Sequence, residues 1–171
     1  MNDDASLNDD RDAALARAVR LREQGETERA RGELLALTDR YPEDAEIAYQ
    51  TAWAHDKLEL EAEAVPYYER ALSAPGLTAQ DRHGAFLGLG STYRVLGRHE
   101  RSLETLRRGL EEFPDDPALR VFAAMALYNA GEHHESVTTL LKVVAATSGD
   151  PGVHGHRRAI EHYADDLDAF H

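Results

Sequence analysis

Apolar residues recur along this chain at intervals of three and four, the spacing of one helical face, and no segment alternates over a strand's length. The clearest stretch is 86–97, FLGLGSTYRVLG, in which Phe86, Leu89, Gly90 and Tyr93 fall at i, i+3, i+4 and i+7. One helix face therefore carries all four, and the glycine admits a partner helix at close range. Gly97 ends that helix. A second helix follows with Ser102 and Leu106 on its inner face, and Pro114 stops it.

The same reading extends in both directions. Upstream, Ala14, Ala18 and Leu21 form the stripe of one helix and Ala30, Leu34 and Leu37 that of the next, with Gly25 between them and Tyr41-Pro42 as the stop. A following pair contains Ala48, Thr51, Ala52 and His55, then Ala64, Tyr68 and Ala71. Here Glu59 stands where the other turns have glycine, and Pro66 is harmless only within the first helical turn, so an irregular turn is predicted around Leu58 to Glu61. Ala74-Pro75-Gly76-Leu77-Thr78 reads as a longer connection. Downstream, Pro117 opens another helix after Asp115-Asp116. Ile160, Tyr163, Leu167 and Phe170 mark a final amphipathic helix over His154 to Phe170.

These helices repeat. Gly97, Ser102 and Leu106 shifted by 34 residues become Gly131, Ser136 and Leu140, and Ala30 shifted by 34 becomes Ala64. Between Ala64 and Ser102 the interval is 38 residues, the excess falling in the connection at 74–78. With Phe in place of Trp, the run from Phe86 to Tyr93 resembles the W-x2-L-G-x2-Y opening of the tetratricopeptide repeat (TPR), and Ser102, Leu106 and Pro114 occupy its later slots. The runs YYERAL, GSTYRVLGR and FPDDPALRVFAAMALYNAG are also similar to a small bacterial stand-alone type, the Tetratrico peptide repeat 5 family.

The resemblance implies an all-α fold, an α-solenoid wound as a right-handed superhelix of about four TPR hairpins plus a C-terminal capping helix. The chain divides accordingly into a disordered acidic leader at 1–10, repeats at about 11–44, 45–78, 83–116 and 117–150, and a cap at 151–171. The cap covers the apolar end of the last repeat. The resemblance further implies protein–protein interaction without catalysis, in a concave groove walled by the first helix of each repeat. In that register the partner-binding residues are Tyr49, Trp53, Asp56, Leu87, Ser91, Arg94, Met125 and Tyr128, on one continuous surface. Leu15 and Val19 occupy slots where chaperone-binding TPR domains carry Lys and Asn, so that subclass does not fit. The expected partner is another protein or a peptide. The alternative is a homodimer formed through the same apolar surface or through the C-terminal stripe.

Composition narrows the remaining classes. A formal net charge of −13 opposes binding to nucleic acid, whose affinity comes largely from Lys and Arg on phosphates, and likewise opposes anionic membranes. Arg94, Arg98, Arg101, Arg107 and Arg108 are interleaved with glutamates and read as a salt-bridged surface. The absence of cysteine removes disulfides, thiolate metal sites and cysteine nucleophiles. Nine histidines include no HExxH spacing, so no metal or other cofactor is expected. No P-loop, GxSxG or dinucleotide motif occurs, and the chain is read as a non-enzyme. The start, MNDDASLNDD, lacks the basic and apolar regions of a signal peptide, and a cytoplasmic location is expected.

Overall fold

In the computed structural model, which describes residues 3–168 and side chains from Asp9 onward, all regular elements are helices and no strand occurs among the described residues. They are α1 (Asp3–Glu23), α2 (Thr27–Arg40), α3 (Ala45–Asp56), α4 (Glu61–Ser73), α5 (Ala79–Val95), α6 (His99–Glu112), α7 (Pro117–Asn129), α8 (His133–Thr147), α9 (Pro151–Gly155) and α10 (Arg157–Asp165). The chain divides within α5 into two units, Met1–Thr92 and Tyr93–His171. In the first, α1 pairs with α2, α2 with α3, and α3 with α4; in the second, α6 packs on α7, α7 on α8, and α8 on α10.

One turn design recurs. In each, the amide one residue past the left-handed position donates to the carbonyl five residues back, from Glu26 to Leu21, Leu60 to His55, Arg98 to Tyr93 and Glu132 to Leu127, at 2.8–3.0 Å. Gly25, Gly97 and Gly131 take the required positive φ, at 85°, 71° and 89°. The irregular turn predicted at Leu58 to Glu61 is instead regular, with Glu59 forced to φ 58°, a conformation that strains an L side chain. Pro66 lies in the second turn of α4, past the first turn in which it would be harmless, so the Ala62 carbonyl loses its helical donor.

Helix starts are equally explicit. Asp44 and Asp116, each three residues after a Tyr or Phe that ends the preceding helix, accept from the amides of Ile47 (2.9 Å) and Leu119 (2.7 Å). Thr78 and Asp81 bond reciprocally at the start of α5. Small residues set the helix crossings: Ala30, Ala64, Ser102 and Ser136 hold the same place in α2, α4, α6 and α8, and all are buried.

Two ends differ from the expectation. Helix α1 begins at Asp3 and takes in residues 3–10 of the expected leader; Met1 and Asn2 lie outside the described residues. The single helix expected from His154 is broken at His156, giving α9 and α10, where Gly152 and Gly155 weaken helix formation. In α10, Ala164 is buried and Ile160 half-buried against α8, whereas Tyr163 points outward. Phe170 lies outside the described residues.

Candidate functional site

In the first unit the expected groove residues of α3 sit on one face at i, i+4 and i+7: Tyr49, Trp53 and Asp56. Their surroundings differ sharply. Tyr49 is only 6% exposed, whereas Trp53 is 36% exposed. The Tyr49 ring lies 5.8 Å from Trp53 and 6.3 Å from Tyr68 of α4, so three aromatic rings run from the surface inward. Arg22, at the end of α1, places its guanidinium 3.6 Å from the Trp53 ring centre and donates from Nη1 to Gln50 Oε1. That arginine is 8% exposed, and burial lowers its pKa. Trp53 is thus held from beneath and from one side.

Room for these rings is made by absent side chains. A Cβ on Gly84 would stand 2.2 Å from the Tyr49 hydroxyl oxygen, and one on Gly88 would stand 2.4 Å from Tyr68 Cζ and Oη. Both glycines of α5 are therefore sockets for tyrosines of this chain. Buried in this way, Tyr49 has its pKa pushed up to about 12, chiefly by desolvation and then by the Asp81 charge. Burial and the neighbouring Asp56 raise that of Tyr68 further.

Asp56 completes the cluster as a half-buried carboxylate. It accepts from Tyr68 Oη at 2.6 Å and from Thr92 Oγ1 at 3.0 Å, joining α3, α4 and α5 within the first unit. Burial pushes its pKa up; the two hydroxyl donors oppose this without reversing it. Asp56 was expected to face a ligand, and its oxygens instead hold the wall together. Leu87 and Ser91 are half-buried on α5.

Beside this wall lies a depression of about 530 Å³, floored by Leu15, Ala16 and Val19 and edged by Gln50, Asp12, Glu46 and Asp81. Leu15, a groove position by register, belongs to the core with Ala18, Leu34, Leu37, Ile47 and Ala54. At the edge, Arg11 forks onto Asp44 (2.8 and 2.9 Å) and reaches Glu46 at 2.7 Å. Burial alone would raise the pKa of Asp44; Arg11 and the Ile47 amide overcome it and hold the carboxyl below its ordinary value.

The second unit holds the other expected residues. Arg94 is half-buried in the last turn of α5, and Met125 and Tyr128 are exposed on α7, Tyr128 by 61% with its ring 4.8 Å from that of His133. A charged cleft of about 1300 Å³ between α6 and α8 mixes Arg98, Arg101, Arg107 and Arg108 with glutamates, and Arg107 pairs with Glu135 at 3.8 Å.

Tyr68 and Thr92, which sequence reasoning did not select for the site, act through a partner 12 and 36 positions away, and Arg22, at a groove slot of the first repeat by register, reaches Trp53 31 positions away. Only the paired glycines in α5 hinted that rings must be received there. Among the described residues, no three His, Cys, Asp or Glu side chains are grouped to hold a metal ion, and no helix is long and apolar enough to cross a membrane.

The model of the family described as Tetratrico peptide repeat matches residues 45–167. Among solved structures, MamA from Desulfovibrio magneticus RS-1, residues 41 to the end, is similar with a TM-score of 0.71 and 17% identity, covering 91% of this chain and 86% of that one. YrrB, described as a TPR protein with an unusual peptide-binding site, has a TM-score of 0.70 and 21% identity, covering 91% of this chain and 78% of that one. No curated protein matches the chain. At these identities the likeness establishes the fold alone, and the fold is an all-α solenoid of helix hairpins.

Proposed function

We propose, for a chain that belongs to the Tetratrico peptide repeat family, the role of a non-catalytic module that binds a segment of another protein, with Trp53 as its anchor. The observation that carries this reading is the state of Trp53. Its ring is pre-positioned by Tyr49 and Arg22, yet remains 36% exposed. A rigid aromatic side chain left partly in water loses little freedom when a partner covers it.

Leu87 and Ser91 contribute in the first unit, and Arg94, Met125 and Tyr128 in the second; Tyr49 and Asp56 act from below, as supports of Trp53. The description of YrrB as having a peptide-binding site favours a peptide segment as the ligand class. A net charge of −13 supports a protein partner over nucleic acid or an anionic membrane. An adaptor role in a bacterial cytoplasm is the corresponding setting.

The test is a pull-down from lysate with wild type and Trp53→Ala side by side, followed by titration of the recovered partner while the emission of the sole tryptophan is recorded. Selective loss of a partner with the variant, and an emission change on binding to wild type, are expected. Recovery of the same partners at equal affinity by both proteins would overturn the reading.

A further inference from the structure

Helix α8 in the second unit has most of its circumference occupied. One side meets α7, where Ser136 Oγ donates to the Ala124 carbonyl at 2.7 Å. Another meets α10, where Lys142 pairs with Asp165 at 2.7 Å, and the turn after it, where Asp168 lies 3.7 Å from His134. Toward α6 stands Glu135, the partner of Arg107. About half a turn round the helix from Glu135, Val137, Leu140 and Val144 remain between 38% and 45% exposed.

Their spacing, three residues and then four, is that of a helix-pairing seam, with β-branched residues at the outer positions and leucine between them. His133 and Thr147 continue it at either end, and no acidic residue falls on it. On α10, Asp165, tied to Lys142, marks one edge of the contact with α8; Tyr163 lies about 200° round that helix from Asp165 and is 58% exposed.

We propose that this face is a homodimer seam, with a second copy of the chain laying its own α8 along it across a two-fold axis and the Tyr163 rings flanking the contact. Charge selects the occupant. A foreign partner could engage the acidic surface anywhere through basic residues of its own. A second copy carries the same −13 and meets least repulsion on a face without carboxylates. Two-fold pairing also requires a self-complementary patch, and a seam of Val, Leu and Val matches its own image. Three partly exposed aliphatic side chains and one tyrosine make a small patch beside the ~1,200–2,000 Å² that stable interfaces bury, so the association is weak and concentration-dependent. Because like charges elsewhere repel, added salt tightens it, the reverse of a charge-driven contact.

None of these residues is among those proposed for the groove, so the two readings fail separately. The experiment is sedimentation of the full chain over a concentration series, at low and at high salt. A dimer that grows with concentration and with salt is expected, and Leu140→Glu and Tyr163→Ser should each weaken it by about tenfold or more with an unchanged helical spectrum. Since the chain has no cysteine, Leu140→Cys should form a disulfide-linked dimer under mild oxidation far faster than Glu135→Cys on the α6 side. A wild type that stays monomeric throughout would overturn the proposal. So would a dimer indifferent to both variants, or equal cross-linking at the two cysteine positions.

Discussion

Helices α3 and α7 are built to one plan and end in different states. Each follows an aromatic-Pro stop and an aspartate N-cap, and each offers its residues at the same register: Tyr49, Trp53 and Asp56 in one, Val121, Met125 and Tyr128 in the other. In α3 the first of these is buried, the second is stacked under an arginine and the third is bonded by two hydroxyls. In α7, Tyr128 stands mostly in water beside His133. Position within a repeat therefore fixes the direction of a side chain. Its exposure is decided by the neighbours: for α3 these include the end of α1 and two glycines of α5.

The most severe way to break the α3 arrangement is to fill its sockets. Gly88→Ala should destabilise the protein by about 2–3 kcal/mol, because Tyr68 must shift and leave Asp56. By contrast Gly32→Ala, in α2 with open space around its Cβ, should stabilise by about 0.5–1 kcal/mol. Thermal melts of the two variants check both signs. If Gly88→Ala melts with wild type, Tyr68 is not held as described.

Two aspartates sharpen the contrast at intermediate size. Asp44→Ala removes an N-cap and the partner of Arg11 and should cost about 1–2 kcal/mol at neutral pH. Its folded pKa is depressed, so its contribution is present at neutral pH and is lost as pH falls through that folded value. Asp56 has the opposite sign. With its folded pKa raised, the native state takes up a proton more readily than the unfolded chain, and this group favours folding as pH falls through that value. Asp56→Asn should therefore be tolerated at neutral pH and should remove a stability increment toward mild acid. Denaturant titrations at several pH values measure both; a steep neutral-pH loss in Asp56→Asn would refute the assignment.

Much of this plan was legible in the sequence. Gly25, Gly97 and Gly131 announced the turns, the aromatic-Pro-Asp runs announced the ends, and the interval from Ala64 to Ser102 located the longer connection. The groove was less legible. Register placed Tyr49 and Asp56 in it, but nothing local says that Tyr68 reaches Asp56 or that Arg22 covers Trp53, because those pairs form only when separate helices pack. Leu15 illustrates the same limit: one position on a helical wheel separates wall from core, and Ala14, expected inside, is only half-buried. At the C-terminus the stripe was read as one helix, and glycines at 152 and 155 carried the signal of the break.

The smallest expected effect concerns the turns shared by the two units. Glu59→Gly should raise stability by up to about 1 kcal/mol by relieving the left-handed glutamate, whereas Gly131→Ala should lower it by a similar amount. Opposite shifts in the melting temperatures of the two variants are the expected result, and shifts of the same sign would show that local contacts outweigh backbone strain.

The turn geometry also sorts the places where the chain tolerates changes in length. Each turn between paired helices is closed by a backbone bond from a fixed donor to a fixed acceptor, so an added residue breaks the closure. The connection at 74–78 already carries the longer interval, and the Thr78–Asp81 bonds restart the next helix whatever precedes them. An epitope, a fluorophore-binding tag or a protease site inserted between Pro75 and Leu77 should leave both flanking helices in place. The same insertion at Gly25 or Gly131 would have to unmake a turn.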